Sequence, residues 1–163
     1  MINSILINKF STEVENGSLT EVKDLMKKIN YIQPYINRAL IIAAKNGHLE
    51  VVEYLVNKGA DVTARGNQAL INSSMNWHLP VVDFLLNRGT RDQDYRALTR
   101  LIEEEEDENI VKRLLEYYYP RDLIENLLTK ESNPKINSLL QGYLNQEFLI
   151  SSQDQRLLRG VTN

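Results

Sequence analysis

Apolar residues along the first ninety positions recur in a fixed pattern. An apolar residue, two variable positions and two further apolar residues give Val22/Leu25/Met26, Val52/Leu55/Val56 and Val82/Leu85/Leu86. The i, i+3, i+4 spacing predicts helices with one buried stripe. The triplet returns as Val111/Leu114/Leu115 and, in more polar surroundings, as Ile136/Leu139/Leu140, after steps of 29 and 25 residues. Polar positions repeat with it. Asn16-Gly17-Ser18-Leu19-Thr20-Glu21-Val22 recurs as Asn46-Gly47-His48-Leu49-Glu50-Val51-Val52 and as Asn76-Trp77-His78-Leu79-Pro80-Val81-Val82, each 30 residues on.

A second set of helices precedes these, at Ala39-Leu40-Ile41-Ile42-Ala43-Ala44, Ala69-Leu70-Ile71-Asn72-Ser73-Ser74 and Ala97-Leu98-Thr99-Arg100-Leu101-Ile102. Their small residues allow close approach of neighbouring helices. Gly59 and Gly89 stand where a left-handed residue closes a helix, with Lys58 and Arg88 in the last turn favouring the dipole. Pro80 falls near a helix start, where its missing N–H costs little. Five helix pairs and no strands are expected.

The run Ala43-Ala44-Lys45-Asn46-Gly47-His48-Leu49-Glu50-Val51-Val52-Glu53-Tyr54-Leu55-Val56-Asn57-Lys58-Gly59-Ala60-Asp61-Val62 resembles the ankyrin repeat almost position by position. The resemblance is clear over residues 39–90, extends back to residue 5 and fades through 91–142. The family's Thr-Pro-Leu-His turn is absent, and the step is shorter than its usual period of about 33, so trimmed hairpin loops are expected. Short-loop repeats rich in Asn and Ile resemble those of large DNA viruses and of host-associated bacteria. The resemblance implies an all-α, ankyrin-like solenoid of about five helix-turn-helix repeats, at approximately 5–34, 35–64, 65–94, 95–119 and 120–143. These form one repeat domain over 1–143, and 144–163 is expected as a C-terminal capping helix or a partly disordered tail. Stacked repeats need covered ends; Ile5, Leu6, Phe10 and Val14 supply apolar side chains at the first.

The 163 residues are 42% hydrophobic and 25% charged, enough apolar surface to fold without disulfides or a structural metal. A net charge of -3 argues against nucleic acid as a partner, since its binders concentrate Lys and Arg on one face. No cysteine is present, which removes disulfides and thiolate chemistry and fits a reducing compartment. Ile2 to Phe10 is broken by Asn3, Asn8 and Lys9 and reads as neither signal peptide nor anchor. No run reaches the about 18 apolar residues a membrane helix requires. A cytoplasmic location is expected, in the host cytoplasm if a pathogen encodes the chain.

Catalytic chemistry is not expected. His48 and His78 occupy the same place in successive repeats, which predicts turn packing or capping rather than catalysis. No metal-ligand spacing accompanies them, no Gly-x-Ser-x-Gly elbow is present, and the seven glycines are dispersed singly rather than forming a phosphate loop. No cofactor or metal is expected. The acidic run Glu103 to Glu108 reads first as a solvated turn and second as a surface for a basic partner.

Function therefore follows from the resemblance. Ankyrin-type stacks bind proteins on a concave face, through first-helix ends and the loops before them. First-helix ends correspond to Lys45, Asn46, Met75 and Asn76, and the loops to Arg65, Asn67, Gln68, Arg91 and Tyr95. Trp77 replaces the turn glycine of the earlier repeats: either the turn has changed shape, or a large aromatic is presented at a cost. Of Tyr117, Tyr118 and Tyr119, two are expected in the core. The leading expectation is a monomeric, non-catalytic recognition module that masks or recruits a protein, as an antagonist of a host or defence protein encoded by a virus or bacterium. The alternatives are a bacterial immunity or inhibitor protein for a cognate enzyme, and a self-assembling structural protein forming homo-oligomers.

Overall fold

The computed structural model describes residues 2–90, 95–103, 108–116, 119–130 and 133–159, of which 2–3 and 147–159 are described as backbone only. Among these residues every regular element is a helix. In chain order they are α1 (Ile2–Glu15), α2 (Leu19–Lys28), α3 (Gln33–Lys45), α4 (Leu49–Asn57), α5 (Ala64–Met75), α6 (Leu79–Asn87), α7 (Arg96–Glu103), α8 (Glu108–Leu114), α9 (Arg121–Lys130) and α10 (Pro134–Arg159). Where the sequence predicts one repeat domain over 1–143, the chain divides into two compact units, Met1–Ala97 and Leu98–Asn163.

The first unit is the expected all-α stack. The helices pair as α1 with α2, α3 with α4 and α5 with α6; α3 packs between α1 and α5 in one layer, and α4 between α2 and α6 in the other. The second-layer stripes fill the space between the layers, with Val22, Leu25, Val52, Leu55, Val82, Leu85 and Leu86 buried. From the first layer come Leu40, Leu70 and the small residues Ala39, Ala43, Ala44, Ala69, Ser73 and Ser74, also buried, whose size lets the helices close on one another. Phe10 and Val14 are buried on α1. Ile5, expected to help cover the first repeat, is exposed instead.

The turns inside the pairs share one geometry. The amide of His48 reaches back to the Ala43 carbonyl at 3.0 Å while that of Gly47 bonds Ala44 at 3.3 Å, which is the Schellman arrangement. His78 to Ser73 at 2.9 Å with Trp77 to Ser74 at 3.2 Å repeats it. Helices α4 and α6 end in the same way at Gly59 (φ 92°) and Gly89 (φ 90°). Pro80 sits in the first turn of α6.

In the second unit, α10 packs against α8 and α9 over Ile110, Val111, Leu114, Ile124, Leu127, Ile136, Leu140 and Leu144, all buried. Tyr119 is buried, and its backbone N–H donates to the Tyr143 hydroxyl at 2.7 Å while that hydroxyl donates to the Tyr119 carbonyl at 3.1 Å. Tyr117 and Tyr118 lie outside the described residues. Position 144, the expected start of the tail, falls inside α10, so the last repeat and the tail share one helical backbone as far as Arg159.

Candidate partner-binding surface

The two histidines tie one repeat to the next. His48 Nε2 lies 2.7 Å from the Glu15 carbonyl oxygen and His78 Nε2 lies 2.9 Å from that of Lys45. A carbonyl only accepts, so Nε2 carries the hydrogen in both rings. Glu15 and Lys45 are the last residues of α1 and α3, whose carbonyls lack intrahelical partners. Each imidazole thus caps the end of the preceding repeat's first helix through Nε2. Among the described residues no group of three or more His, Asp or Glu side chains could hold a metal ion.

The residues expected at a partner surface differ in exposure. Lys45, Arg65, Asn76 and Trp77 are exposed, and Asn46, Gln68, Met75 and Tyr95 are half-buried. Several of these are already spent inside the chain. The Asn46 side-chain amide donates to the Ile42 carbonyl at 2.9 Å and that of Asn76 to the Asn72 carbonyl at 2.8 Å, so each caps the end of its own helix. Gln68 Nε2 donates to Asn72 Oδ1 at 2.7 Å, one turn along α5.

Asn67 requires a correction: it is 2% exposed and its side chain has no surface to offer a partner. The cause is local. Arg65 (φ 55°), Gly66 (φ 68°) and Asn67 (φ 59°) form a left-handed turn at the start of α5, which sends the Asn67 side chain inward while leaving Arg65 outside. Among the described residues Oδ1 of Asn67 finds no hydrogen-bond partner. Arg91 lies outside the described residues.

Trp77 settles the choice posed by its sequence. The turn has kept its shape: φ is 59° at Trp77 against 75° at Gly17 and Gly47, and the same backbone hydrogen bonds close it. The indole is 58% exposed. A bulky residue in the left-handed region costs on the order of 1–2 kcal/mol, and burial offsets only part of it here.

The structure adds a feature that the sequence reading did not single out. A groove of 520 Å³ runs between α1 and α3, lined by Ser4, Ile7, Asn8, Ser11, Thr12, Tyr35, Arg38 and Ala39. Among these described lining residues the one cation is Arg38, which is exposed. The signal lay in the repeat itself. Positions 8, 38 and 68 are equivalent, and so are 12, 42 and 72 one turn further on. Thr12 donates to the Asn8 carbonyl and Gln68 pairs with Asn72, but Arg38 faces an isoleucine, Ile42, at that spacing. In the second unit a smaller cavity of 270 Å³ lies beside α8 and α10, among Lys112, Leu115, Leu139, Gly142 and Tyr143.

No helix among the described residues is long and apolar enough to cross a membrane. A family model for ankyrin repeats, covering three copies, matches residues 11–97, more than half of the chain. No curated protein matches it.

Proposed function

The chain belongs to the ankyrin repeat family, whose members are in general non-catalytic protein-protein interaction modules, and on that premise we propose that it binds one protein partner through the first-helix ends and turns of its first unit. Trp77 carries the reading. Its backbone is held where glycine is preferred and more than half of the residue is left in solvent, so burial returns only part of that cost to the folded chain. Tryptophan is also the side chain most enriched among residues that dominate binding energy. Lys45 and Arg65 are exposed and Met75 is half-buried, which supplies charged anchors beside softer apolar surface. Asn46 and Asn76 hold the helix ends in place and are assigned a supporting role.

A chain of this kind acts by occlusion or by recruitment, masking a surface of its partner or bringing it to another molecule. The test is affinity capture from native extract with wild-type protein and with an Arg65→Ala/Met75→Ala/Trp77→Ala variant shown by circular dichroism to be folded. A protein retained by wild type and lost by the variant supports recognition through these residues. Equal retention by both moves binding to another surface. If nothing is captured and light scattering shows a homo-oligomer at micromolar concentration, self-assembly replaces recognition as the function.

A further inference from the structure

The groove between α1 and α3 holds a cation that the fold does not use. Among the described residues Arg38 takes part in no ion pair, side-chain hydrogen bond or ring contact, and the Ser11 and Tyr35 hydroxyls that line the groove with it bond to no group there either. The equivalent side chain one repeat later, Gln68, is closed off by Asn72. Arg38 is denied the same arrangement because the side chain of Ile42 cannot accept a hydrogen bond. The result is a planar fork of donors at the edge of a groove whose walls carry two further hydroxyl donors, with no carboxylate lining it. Guanidinium forks match carboxylates in geometry, and such charge-assisted pairs are about twice as strong as neutral hydrogen bonds.

We propose that this groove receives the carboxylate of an acidic segment of the partner, with Arg38 pairing it and Ser11 and Tyr35 donating to the same group. The proposal rests on the protein-binding reading above and names the chemistry of the bound segment. The groove is lined by α1 and α3 and open to solvent, which suits a segment of chain laid against it. Arg38 is exposed and unpartnered, so Arg38→Gln removes the charge without disturbing the core.

The test uses the full chain, isotopically labelled, titrated at low salt with an acetylated hexaglutamate peptide and with the matching glutamine peptide. The Arg38 Nε–H and the amides of Ser11 and Tyr35 are expected to shift with the glutamate peptide and to stay unmoved with the glutamine peptide. Arg38→Gln should weaken binding by about tenfold or more and Arg38→Lys by less, because it keeps the charge and loses the fork. Lys9→Gln and Lys28→Gln should change it less than threefold. Shifts spread evenly over Lys9, Lys45 and Arg65, or affinity unchanged in Arg38→Gln, would overturn the proposal. So would shifts produced by inorganic phosphate and absent with the peptide, or shifts that track self-association of the chain. If the peptide fails while a cellular partner is still captured in a Trp77-dependent way, the acidic receptor is lost and the recognition reading stands. Failure of both experiments removes both.

Discussion

Gly17 and His48 share one space, so that a side chain on the first would stand where the ring of the second lies. A Cβ built on Gly17 falls 2.5 Å from His48 Nδ1, and Gly47 bears the same relation to His78. Each glycine is also at φ 75°, in the left-handed region. Two independent constraints therefore act at these turns, backbone conformation and inter-repeat packing, whereas Gly59 and Gly89 carry the first alone, having no atom of the described residues within 4 Å of an added Cβ.

That difference separates the substitutions. Gly17→Ala and Gly47→Ala are expected to cost about 2–4 kcal/mol each, the left-handed penalty plus displacement of the histidine. Gly59→Ala should cost only about 1–2 kcal/mol, the conformational part. Urea denaturation measures the gap, and equal losses at Gly17 and Gly59 would show that the ring yields freely.

Replacing His48 by alanine breaks its bond to the Glu15 carbonyl and should cost about 1–2 kcal/mol. It also vacates the space an alanine at 17 would need. The double variant Gly17→Ala/His48→Ala should consequently be less destabilised than the sum of the two single variants, by about 1 kcal/mol or more in a double-mutant cycle. Strict additivity would mean that the two residues do not compete.

Trp77→Gly tests whether stability has been given up for binding. Glycine adopts φ 59° without penalty, so the variant should unfold at slightly higher denaturant, by about 0.5–1 kcal/mol after its greater unfolded-state entropy is counted, while losing the captured partner. A variant that is less stable by more than about 1 kcal/mol would show that the indole packs structurally, and Trp77 would cease to support the recognition reading.

Ser74 is fully buried and its hydroxyl has no hydrogen-bond partner among the described residues. The preceding repeat has Ala44 at the same place. Ser74→Ala should be neutral or stabilising by up to about 1 kcal/mol, because it removes a desolvated polar group. A thermal or urea midpoint that falls clearly would indicate that the hydroxyl is satisfied after all.

In the second unit Tyr143→Phe leaves both the N–H and the carbonyl of Tyr119 without their shared hydroxyl. Tyr119 is buried, so a loss of about 1–3 kcal/mol is expected. Amide exchange at Tyr119 should accelerate with it, and an unchanged rate at that amide would break the link.

Much of the first unit was legible because its signals are local and repeated. The triplets Val22/Leu25/Met26, Val52/Leu55/Val56 and Val82/Leu85/Leu86 mark the buried stripe wherever a helix of 3.6 residues per turn is formed. Gly59 and Gly89 announce left-handed helix ends, and the shared position of His48 and His78 announces a structural duty. The candidate surface was legible only in outline. Nothing in Arg65-Gly66-Asn67 states that three successive left-handed residues will turn Asn67 inward, and nothing in Asn46 or Asn76 distinguishes a helix cap from a contact residue. Those outcomes depend on where the neighbouring backbone lies.

The sequence by itself determined the all-α class, the thirty-residue step and the helix ends, since each follows from which residues a helix or a left-handed turn accepts within a few positions. Only the tertiary structure decided which polar groups remain free. The imidazole of His78 and the amides of Asn46, Gln68 and Asn76 are consumed by partners within the chain, while Arg38 and the Trp77 indole are left to solvent. A hydrogen bond is satisfied by whatever lies within about 3 Å, whether one turn along a helix or in the next repeat, and for the bonds between repeats that distance is set by packing.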